Sequence, residues 1–155
     1  MNIALVFAGG TGQRMNSKSK PKQFLDMHGK PILIYTLEYF EKHKEIDAIC
    51  IVCLAGWEEE LERQLKMHHI EKVRWITTGG ETGHDSIYNG LKVLKKECNE
   101  NDIVLIHDGV RPLITEELIS ANIDMVKKHR NAITVETVAE SVVVMDEEEN
   151  VINSI

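Results

Sequence analysis

The 155-residue chain lacks the features that mark membrane-spanning, secreted or nucleic-acid-coating proteins. No apolar run approaches the ~20 residues of a membrane-spanning helix, and no basic segment precedes a long apolar stretch at the N-terminus, so we expect no signal peptide. Three cysteines, an odd number, favour a reducing cytoplasm over a disulfide framework. Lysine and arginine number 18 against 25 acidic residues, and a net charge of −7 argues against non-specific binding to nucleic acid or anionic membranes.

The first thirty residues reverse this charge balance. One aspartate, Asp26, stands among five basic residues there: Arg14, Lys18, Lys20, Lys22 and Lys30. A local surplus of positive charge in an acidic protein is what a binding site for an anionic small molecule needs.

Apolar runs of strand length alternate with helical segments along the chain. They predict strands over residues 2–8, 47–54, 72–77, 102–108 and 132–138, and helices over residues 31–43, 57–69, 85–97 and 115–129. This alternation implies right-handed crossovers, and so an α/β fold: a Rossmann-like three-layer sandwich with a mostly parallel sheet.

The pattern changes after residue 138. Residues 139–155 predict a β-hairpin arm with an acidic turn, which stops in mid-strand, so we expect a truncated chain or fragment. The division that follows is an α/β part over residues 1–138 and the start of a β-arm over residues 139–155, in one domain overall.

Two cysteines in the second predicted strand have the spacing of a metal-binding pair. Cys50 and Cys53 are three residues apart, so their side chains point to opposite faces of the strand. No second cysteine pair accompanies them, and core packing is therefore the favoured interpretation.

The loop after the first strand, "AGGTGQRM", combines glycines with basic residues. It lacks the Gly-Lys-Ser/Thr of a P-loop and the third glycine of a dinucleotide fingerprint, because Met15 stands there. Its glycines still let the backbone approach a phosphate, Arg14 offers a forked donor and Lys22 a point charge. From these residues alone a phosphate-binding loop and a plain strand-to-helix turn both remain open.

Two further loops follow strands at the edge where open α/β sheets bind ligands. In "GGETGHDS", Asp85 or Ser86 is predicted to cap a helix, or the small residues form a base or ribose pocket. In "HDGVRP", Asp108 directly follows a buried strand, a suitable position for a carboxylate that holds Mg²⁺ beside phosphates. Arg111 could pair with Asp108 or contact a substrate, and His107 is interpreted as a packed strand-end residue.

The order of these motifs is more specific than any one of them. "AGGTGQRM", "PKQF", "GKPIL", a Gly-Gly loop ending in Asp-Ser, and "HDGVRP" follow one another over essentially the whole chain. This order resembles the cytidylyltransferase family that includes 2-C-methyl-D-erythritol 4-phosphate and D-ribitol-5-phosphate cytidylyltransferases, within the nucleotide-diphospho-sugar transferase superfamily. The resemblance implies a nucleotidyltransferase that joins CTP and a polyol phosphate to give a CDP-polyol and pyrophosphate.

The resemblance also implies roles for individual residues. Arg14 and Lys22 would stabilise charge on the α-phosphate during in-line attack, and Asp108 would bind Mg²⁺. Arg111 and Ser141 match the polyol-phosphate side. The residues that would bind the nucleotide are Ala8, Gly9, Gly10, Thr11 and Gly12 around the triphosphate, and Gly80, Glu81 and Ser86 at cytosine and ribose.

The chain departs from the family pattern in three places. Gly83 stands where the family often has arginine, and Glu140-Ser141 replaces the usual Asp-Thr. The family continues past Ile155 with an arginine and a lysine of the site, so little or no activity is expected from residues 1–155 alone. In the full-length protein, the resemblance implies a cytoplasmic homodimer that binds neither nucleic acid nor membrane.

The amino-acid sequences of two segments favour one of the two polyol phosphates as the substrate. "MNSKSKPKQFLDMHGKPILIYTLE" and "GGETGHDS" are closer to the ribitol-phosphate type of wall (teichoic acid) and capsule pathways. The alternatives are the methylerythritol-phosphate enzyme of isoprenoid synthesis, transfer of another nucleotide, and a non-catalytic nucleotide-binding fragment or module of a larger fused enzyme.

Overall fold

The computed structural model of the protein describes residues 1–10, 20–137, 143–148 and 151–154. In chain order, its elements are β1 (Asn2–Ala8), a single 3-10 turn (Lys22–Phe24), β2 (Asp26–Met27), β3 (Lys30–Pro31), α1 (Ile32–Lys42), β4 (Ala48–Cys53), α2 (Glu58–Met67), β5 (Val73–Thr78), α3 (Gly83–Glu97), β6 (Ile103–Asp108), α4 (Glu116–His129), β7 (Val143–Met145) and β8 (Val151–Ser154).

Four of these strands form a parallel sheet in the order β5-β4-β1-β6. β1 and β4 are continuous apolar runs because helices cover both of their faces. One core contains Val6 and Ile51 with side chains from α1, α2 and α4, and the opposite core contains Leu5 and Val52 with Leu94 of α3. The predicted α/β sandwich of three layers is confirmed.

The cysteines of β4 belong to these two cores. Cys50 packs with the core under α3, and Cys53 packs with the core under the other helices. Burial raises the pKa of each thiol to about 12. The prediction that both cysteines pack in the core is confirmed.

The path of the chain through the sheet creates a crevice beside β1. From β1 the chain proceeds outward to β4 and β5, and then returns through α3 to β6 on the other side of β1. Because the crossovers before and after this reversal cover opposite faces, an open α/β sheet of this order has a crevice between the carboxyl ends of β1 and β6. Ligands of open α/β sheets bind at such switch points.

The predicted fifth strand over residues 132–138 is wrong for residues 132–137, which belong to no strand or helix. Ile133 and Val135 there are 87% and 82% exposed. Their side chains suit a strand, but a strand also needs a neighbour for its backbone hydrogen bonds. No described strand pairs with these residues.

Two hairpins accompany the sheet. β7 and β8 pair antiparallel, which confirms the C-terminal hairpin over the described residues. β2 and β3 form a hairpin that the sequence reasoning missed, closed by His28 and Gly29 with φ of 55° and 84°. The division at residue 138 stays a prediction. Across the described ranges, no helix is both long and apolar enough to cross a membrane.

Candidate functional site

The loops after β1 and β5 touch at the base of the site. A Cβ built on Gly79 would lie 2.9 Å from Gly9 Cα and 3.0 Å from Ser86 Oγ, so neither glycine has room for a side chain. The Gly79 N–H donates to the Cys53 carbonyl at 2.7 Å, which ties this loop to the end of β4. The backbone is therefore the surface that this part of the site offers to a ligand.

Ser86 joins the Gly79-Gly80 segment to α3. Its hydroxyl accepts from the Gly80 N–H at 3.1 Å and donates to the Thr82 carbonyl at 3.0 Å, and the side chain is buried. Of the predicted base and ribose residues, the structure thus brings Gly80 and Ser86 into contact. Glu81 is exposed in the same loop.

The helix cap differs from the prediction. α3 begins at Gly83, and its N-cap is Thr82, not Asp85 or Ser86. Thr82 Oγ1 accepts from the Asp85 N–H at 3.1 Å, and Asp85 Oδ2 accepts from the Thr82 N–H at 3.1 Å and from its hydroxyl at 2.7 Å. These bonds from Thr82 lower the pKa of Asp85. Thr-x-x-Asp is a capping box, a signal present in the sequence.

Lys22 lies half-buried in the 3-10 turn beside the β1 glycine segment, the Gly9-Gly10 pair that follows β1. The next residue, Gln23, is buried and donates from Nε2 to the Ala8 carbonyl at 2.6 Å and to the Gly10 carbonyl at 3.3 Å. Phe24 stacks on Trp57 with 4.9 Å between ring centroids. Sequence reasoning missed Gln23 and Trp57, and no spacing rule points to either residue.

Another lysine of the basic stretch has a structural role. Lys30 Nζ lies 2.6 Å from Glu38 Oε1 and 4.7 Å from the centroid of the Tyr35 ring. Its charge is thereby partly neutralised by α1. Among the described basic residues of the stretch, Lys22 therefore stands apart, because its turn is bonded to the glycine segment.

Asp108 ends β6 on the other side of the crevice. Its Oδ1 accepts from the Val110 N–H at 3.1 Å, and its Oδ2 lies 3.4 Å from Arg111 Nε. The Arg111 side chain is 78% exposed, so this ion pair is weak and its guanidinium stays accessible. His107 packs edge-on against Phe40 and contacts the Arg111 carbonyl at 3.0 Å, in agreement with its interpretation as a strand-end residue.

The single carboxylate of Asp108 fits a magnesium ion whose other ligands are phosphate oxygens of the substrate and water. The described residues contain no group of three or more histidine, cysteine, aspartate or glutamate side chains that could hold a metal. Mg²⁺ in phosphate-transfer sites is bound by one or two carboxylates together with substrate phosphates and water. One carboxylate at the crevice satisfies that requirement.

Four of the predicted site residues lie outside the described part of the chain: Thr11, Gly12, Arg14 and Ser141. The other nine lie at strand ends, in the loops and turns at the carboxyl edge of the sheet, or in the first turn of α3: Ala8, Gly9, Gly10, Lys22, Gly80, Glu81, Ser86, Asp108 and Arg111. Their individual roles stay predictions.

Comparison with known proteins gives a consistent set of relatives. A ribitol-5-phosphate cytidylyltransferase from Vibrio parahaemolyticus is 51% identical over 149 residues, which are 96% of this chain and 63% of that protein. One from Streptococcus agalactiae is 45% identical over 147 residues, 95% of this chain and 62% of that protein. A 2-C-methyl-D-erythritol 4-phosphate cytidylyltransferase from Clostridium botulinum is 42% identical over 128 residues, 83% and 54% of the two chains.

The solved structures agree with these sequence matches. The 4-diphosphocytidyl-2C-methyl-D-erythritol synthase of Anaerococcus prevotii superposes with a TM-score of 0.76 at 29% identity, over 97% of this chain and 61% of that one. A second synthase of that name superposes with a TM-score of 0.78 over 99% and 67%; at 23% identity it bears on the fold alone.

The chain spans less than two thirds of the length of the curated relatives it matches. Within that span, the profile of the IspD family, 2-C-methyl-D-erythritol 4-phosphate cytidylyltransferase, matches residues 2–155. The chain therefore belongs to the IspD family of cytidylyltransferases.

Proposed function

We propose that this protein transfers CMP from CTP to D-ribitol 5-phosphate, giving CDP-ribitol and pyrophosphate. The observation that carries the proposal is the convergence of the β1 glycine segment, the Lys22 turn, the Gly80–Ser86 contact and Asp108 at one sheet edge. Relatives at 45% and 51% identity with that activity in their names support ribitol phosphate as the acceptor.

The chemistry needs positioned charge and no protein nucleophile. An oxygen of the polyol phosphate attacks the α-phosphorus of CTP, the bond to the β-phosphate oxygen breaks, and pyrophosphate leaves with that electron pair. The Lys22 ammonium, with Arg14, stabilises the negative charge that builds on the α-phosphate oxygens. Arg111 and Ser141 hold the phosphate of the acceptor.

A magnesium ion would be held by Asp108 together with phosphate oxygens of CTP. When bound, Mg²⁺ neutralises charge on the triphosphate and orients it for in-line attack. Before a ligand arrives, the Arg111 guanidinium beside Asp108 balances the charge of this carboxylate. Because its side chain is 78% exposed, Arg111 can turn from Asp108 to the acceptor phosphate.

Two properties of the full-length protein complete the proposal. We propose that it acts in the cytoplasm, where CTP is available, and that it forms a homodimer. The second candidate function is a nucleotide-binding module without turnover. It is favoured by the contacts on the nucleotide side of the site, Gly80 with Ser86 and Gln23 with the Ala8 and Gly10 carbonyls.

Binding and turnover test these functions separately. We expect CTP to raise the melting temperature of the 155-residue chain more than UTP, GTP or ATP does, because a ligand of the native state stabilises it by mass action. Pyrophosphate release by the full-length protein is then measured with CTP, Mg²⁺ and either D-ribitol 5-phosphate or 2-C-methyl-D-erythritol 4-phosphate. Faster release with ribitol phosphate is the expected result.

Each other outcome assigns a different function. Equal stabilisation by all four nucleotides would contradict the cytosine assignment. A preference for methylerythritol phosphate would replace the acceptor. CTP binding by the full-length protein without pyrophosphate release in the presence of either acceptor would support the nucleotide-binding module.

A further inference from the structure

Gln23 is a polar side chain that is only 1% exposed, next to the lysine assigned to the reaction. Burial of a carboxamide costs free energy unless it is hydrogen-bonded. Its Nε2 group donates to the Ala8 carbonyl at 2.6 Å and to the Gly10 carbonyl at 3.3 Å. One amide group thus binds the carbonyls of the residues before and after Gly9, at the carboxyl end of β1.

Packing alone does not call for an amide at this position, since methionine has a similar length and volume. The other end of the carboxamide, Oε1, accepts no hydrogen bond from any residue that the structure describes. Among the described residues, the two donated bonds are the interactions that an amide makes here and a methionine could not.

These bonds also fix the position of the Lys22 backbone, from which its side chain extends. Lys22 and Gln23 share one 3-10 turn, in which the Phe24 N–H donates to the Pro21 carbonyl at 2.9 Å. On its far side the turn is anchored by Phe24, which is 1% exposed and stacked on Trp57. A single peptide separates the Lys22 backbone from the Gln23 contact with the glycine segment.

We propose that Gln23 is a positioning residue that sets the distance between the Lys22 ammonium and the β1 glycine segment. Both groups can then contact the phosphates of the same nucleoside triphosphate. The proposal rests on the proposed function, in which Lys22 stabilises the α-phosphate. Gln23 acts on the phosphates through Lys22 and makes no contribution to binding of the base or ribose.

A double-mutant cycle tests this dependence. The affinities of CTP and of cytidine are measured by titration calorimetry for the parent chain, Lys22→Ala, Gln23→Met and the double variant. We expect Gln23→Met to weaken CTP binding about tenfold. This is the effect expected if the displaced Lys22 ammonium loses one hydrogen bond to a charged phosphate. Cytidine binding should change less than about twofold, and in the Lys22→Ala background Gln23→Met should weaken CTP binding less than about twofold.

Gln64→Met is the matched control. Gln64 on α2 is also a buried glutamine whose Nε2 donates to one partner, Glu60 at 2.9 Å, and whose Oε1 has none among the described residues. This substitution should leave the ratio of CTP to cytidine affinity unchanged. The carbonyl ¹³C shifts of Ala8 and Gly10 should move in Gln23→Met and stay in place in Gln64→Met.

Several results would overturn the positioning role. They are additive losses in the cycle, equal weakening of CTP and cytidine, and Ala8 and Gly10 shifts that do not respond to Gln23→Met. A parent chain that prefers another triphosphate would refute the proposed function alone, and the cycle would be run with that nucleotide. A parent chain that binds no triphosphate would refute both proposals.

Discussion

Gly9 and Gly79 show how much of this site depends on the absence of single side chains. They lie 70 positions apart, yet each occupies the space that a Cβ on the other would need. The sequence displays both glycines but does not reveal that they meet. Close approach of the two backbones leaves main-chain atoms, and not side chains, at the base of the site.

Replacement of Gly79 by alanine should separate the two loops. The new Cβ would lie 2.9 Å from Gly9 Cα, and we expect a loss of about 1–3 kcal/mol in the free energy of unfolding and weaker CTP binding. Gly83→Ala is the control, since a Cβ there meets no atom within 4 Å, and its stability should stay within about 0.5 kcal/mol of the parent. Urea denaturation and CTP titration measure both. The explanation fails if the two variants behave alike.

The start of α3 is where a whole element depends on one local motif. The capping box of Thr82 and Asp85 begins the helix two residues earlier than predicted, and this brings Ser86 into the first turn, bonded to Gly80. The signal was readable as Thr-x-x-Asp, but the helical periodicity of the apolar residues begins later. The order of the four parallel strands and the four helices was predictable, because periodicities of two and of 3.6 residues are local properties.

Thr82→Ala should shorten α3 and loosen the loop that carries Gly80. Loss of an N-cap costs about 1 kcal/mol, and we expect weaker CTP binding as well. Thr115→Ala is the matched control, because Thr115 caps α4 through the Leu118 N–H at 3.2 Å without contact to Gly80. It should lower stability without weakening CTP binding. Equal effects of the two variants on CTP binding would contradict a specific role of the α3 cap.

The pH dependence of stability tests the same α3 cap. Hydrogen bonds from Thr82 lower the pKa of Asp85 below its ordinary value of 3.8. Since the pKa is lower in the folded chain, this stabilisation is present above pH 3.8 and is lost as the pH falls through the folded value. Thr82→Ala should therefore lose less stability on acidification than the parent, as measured by urea denaturation at several pH values.

At the scale of the whole molecule, the four-stranded sheet of the described residues ends at β5 on one side and at β6 on the other. β6 is thus an edge strand, and an apolar groove of about 950 Å³ runs between it, α4 and residues 132–136. Ile106 on β6 is 48% exposed, and Ile133 faces solvent almost fully. In this chain, residues 131–137 therefore add little to the core.

Substitution of two isoleucines tests whether residues 131–137 add little to the core of the 155-residue chain. Ile133 is 87% exposed, and Ile123 on α4 is fully buried. Ile133→Thr should change the free energy of unfolding by less than about 0.5 kcal/mol, whereas Ile123→Thr should cost about 2–4 kcal/mol, because it leaves a space and buries a hydroxyl. Urea denaturation measures both. A large loss in Ile133→Thr would mean that residues 131–137 are packed in solution.

The sequence by itself determined the class of fold, the order of the four parallel strands and of α1 to α4, and the loops that follow β1, β5 and β6 at the carboxyl edge of the sheet. All three follow from local periodicity and from the rule that parallel strands end at the same edge. Only the tertiary structure decided that Gly9 meets Gly79, that Gln23 ties Lys22 to β1, and that residues 132–137 form no strand. These depend on partners distant along the chain or on a neighbouring strand, and no local pattern specifies which groups come together.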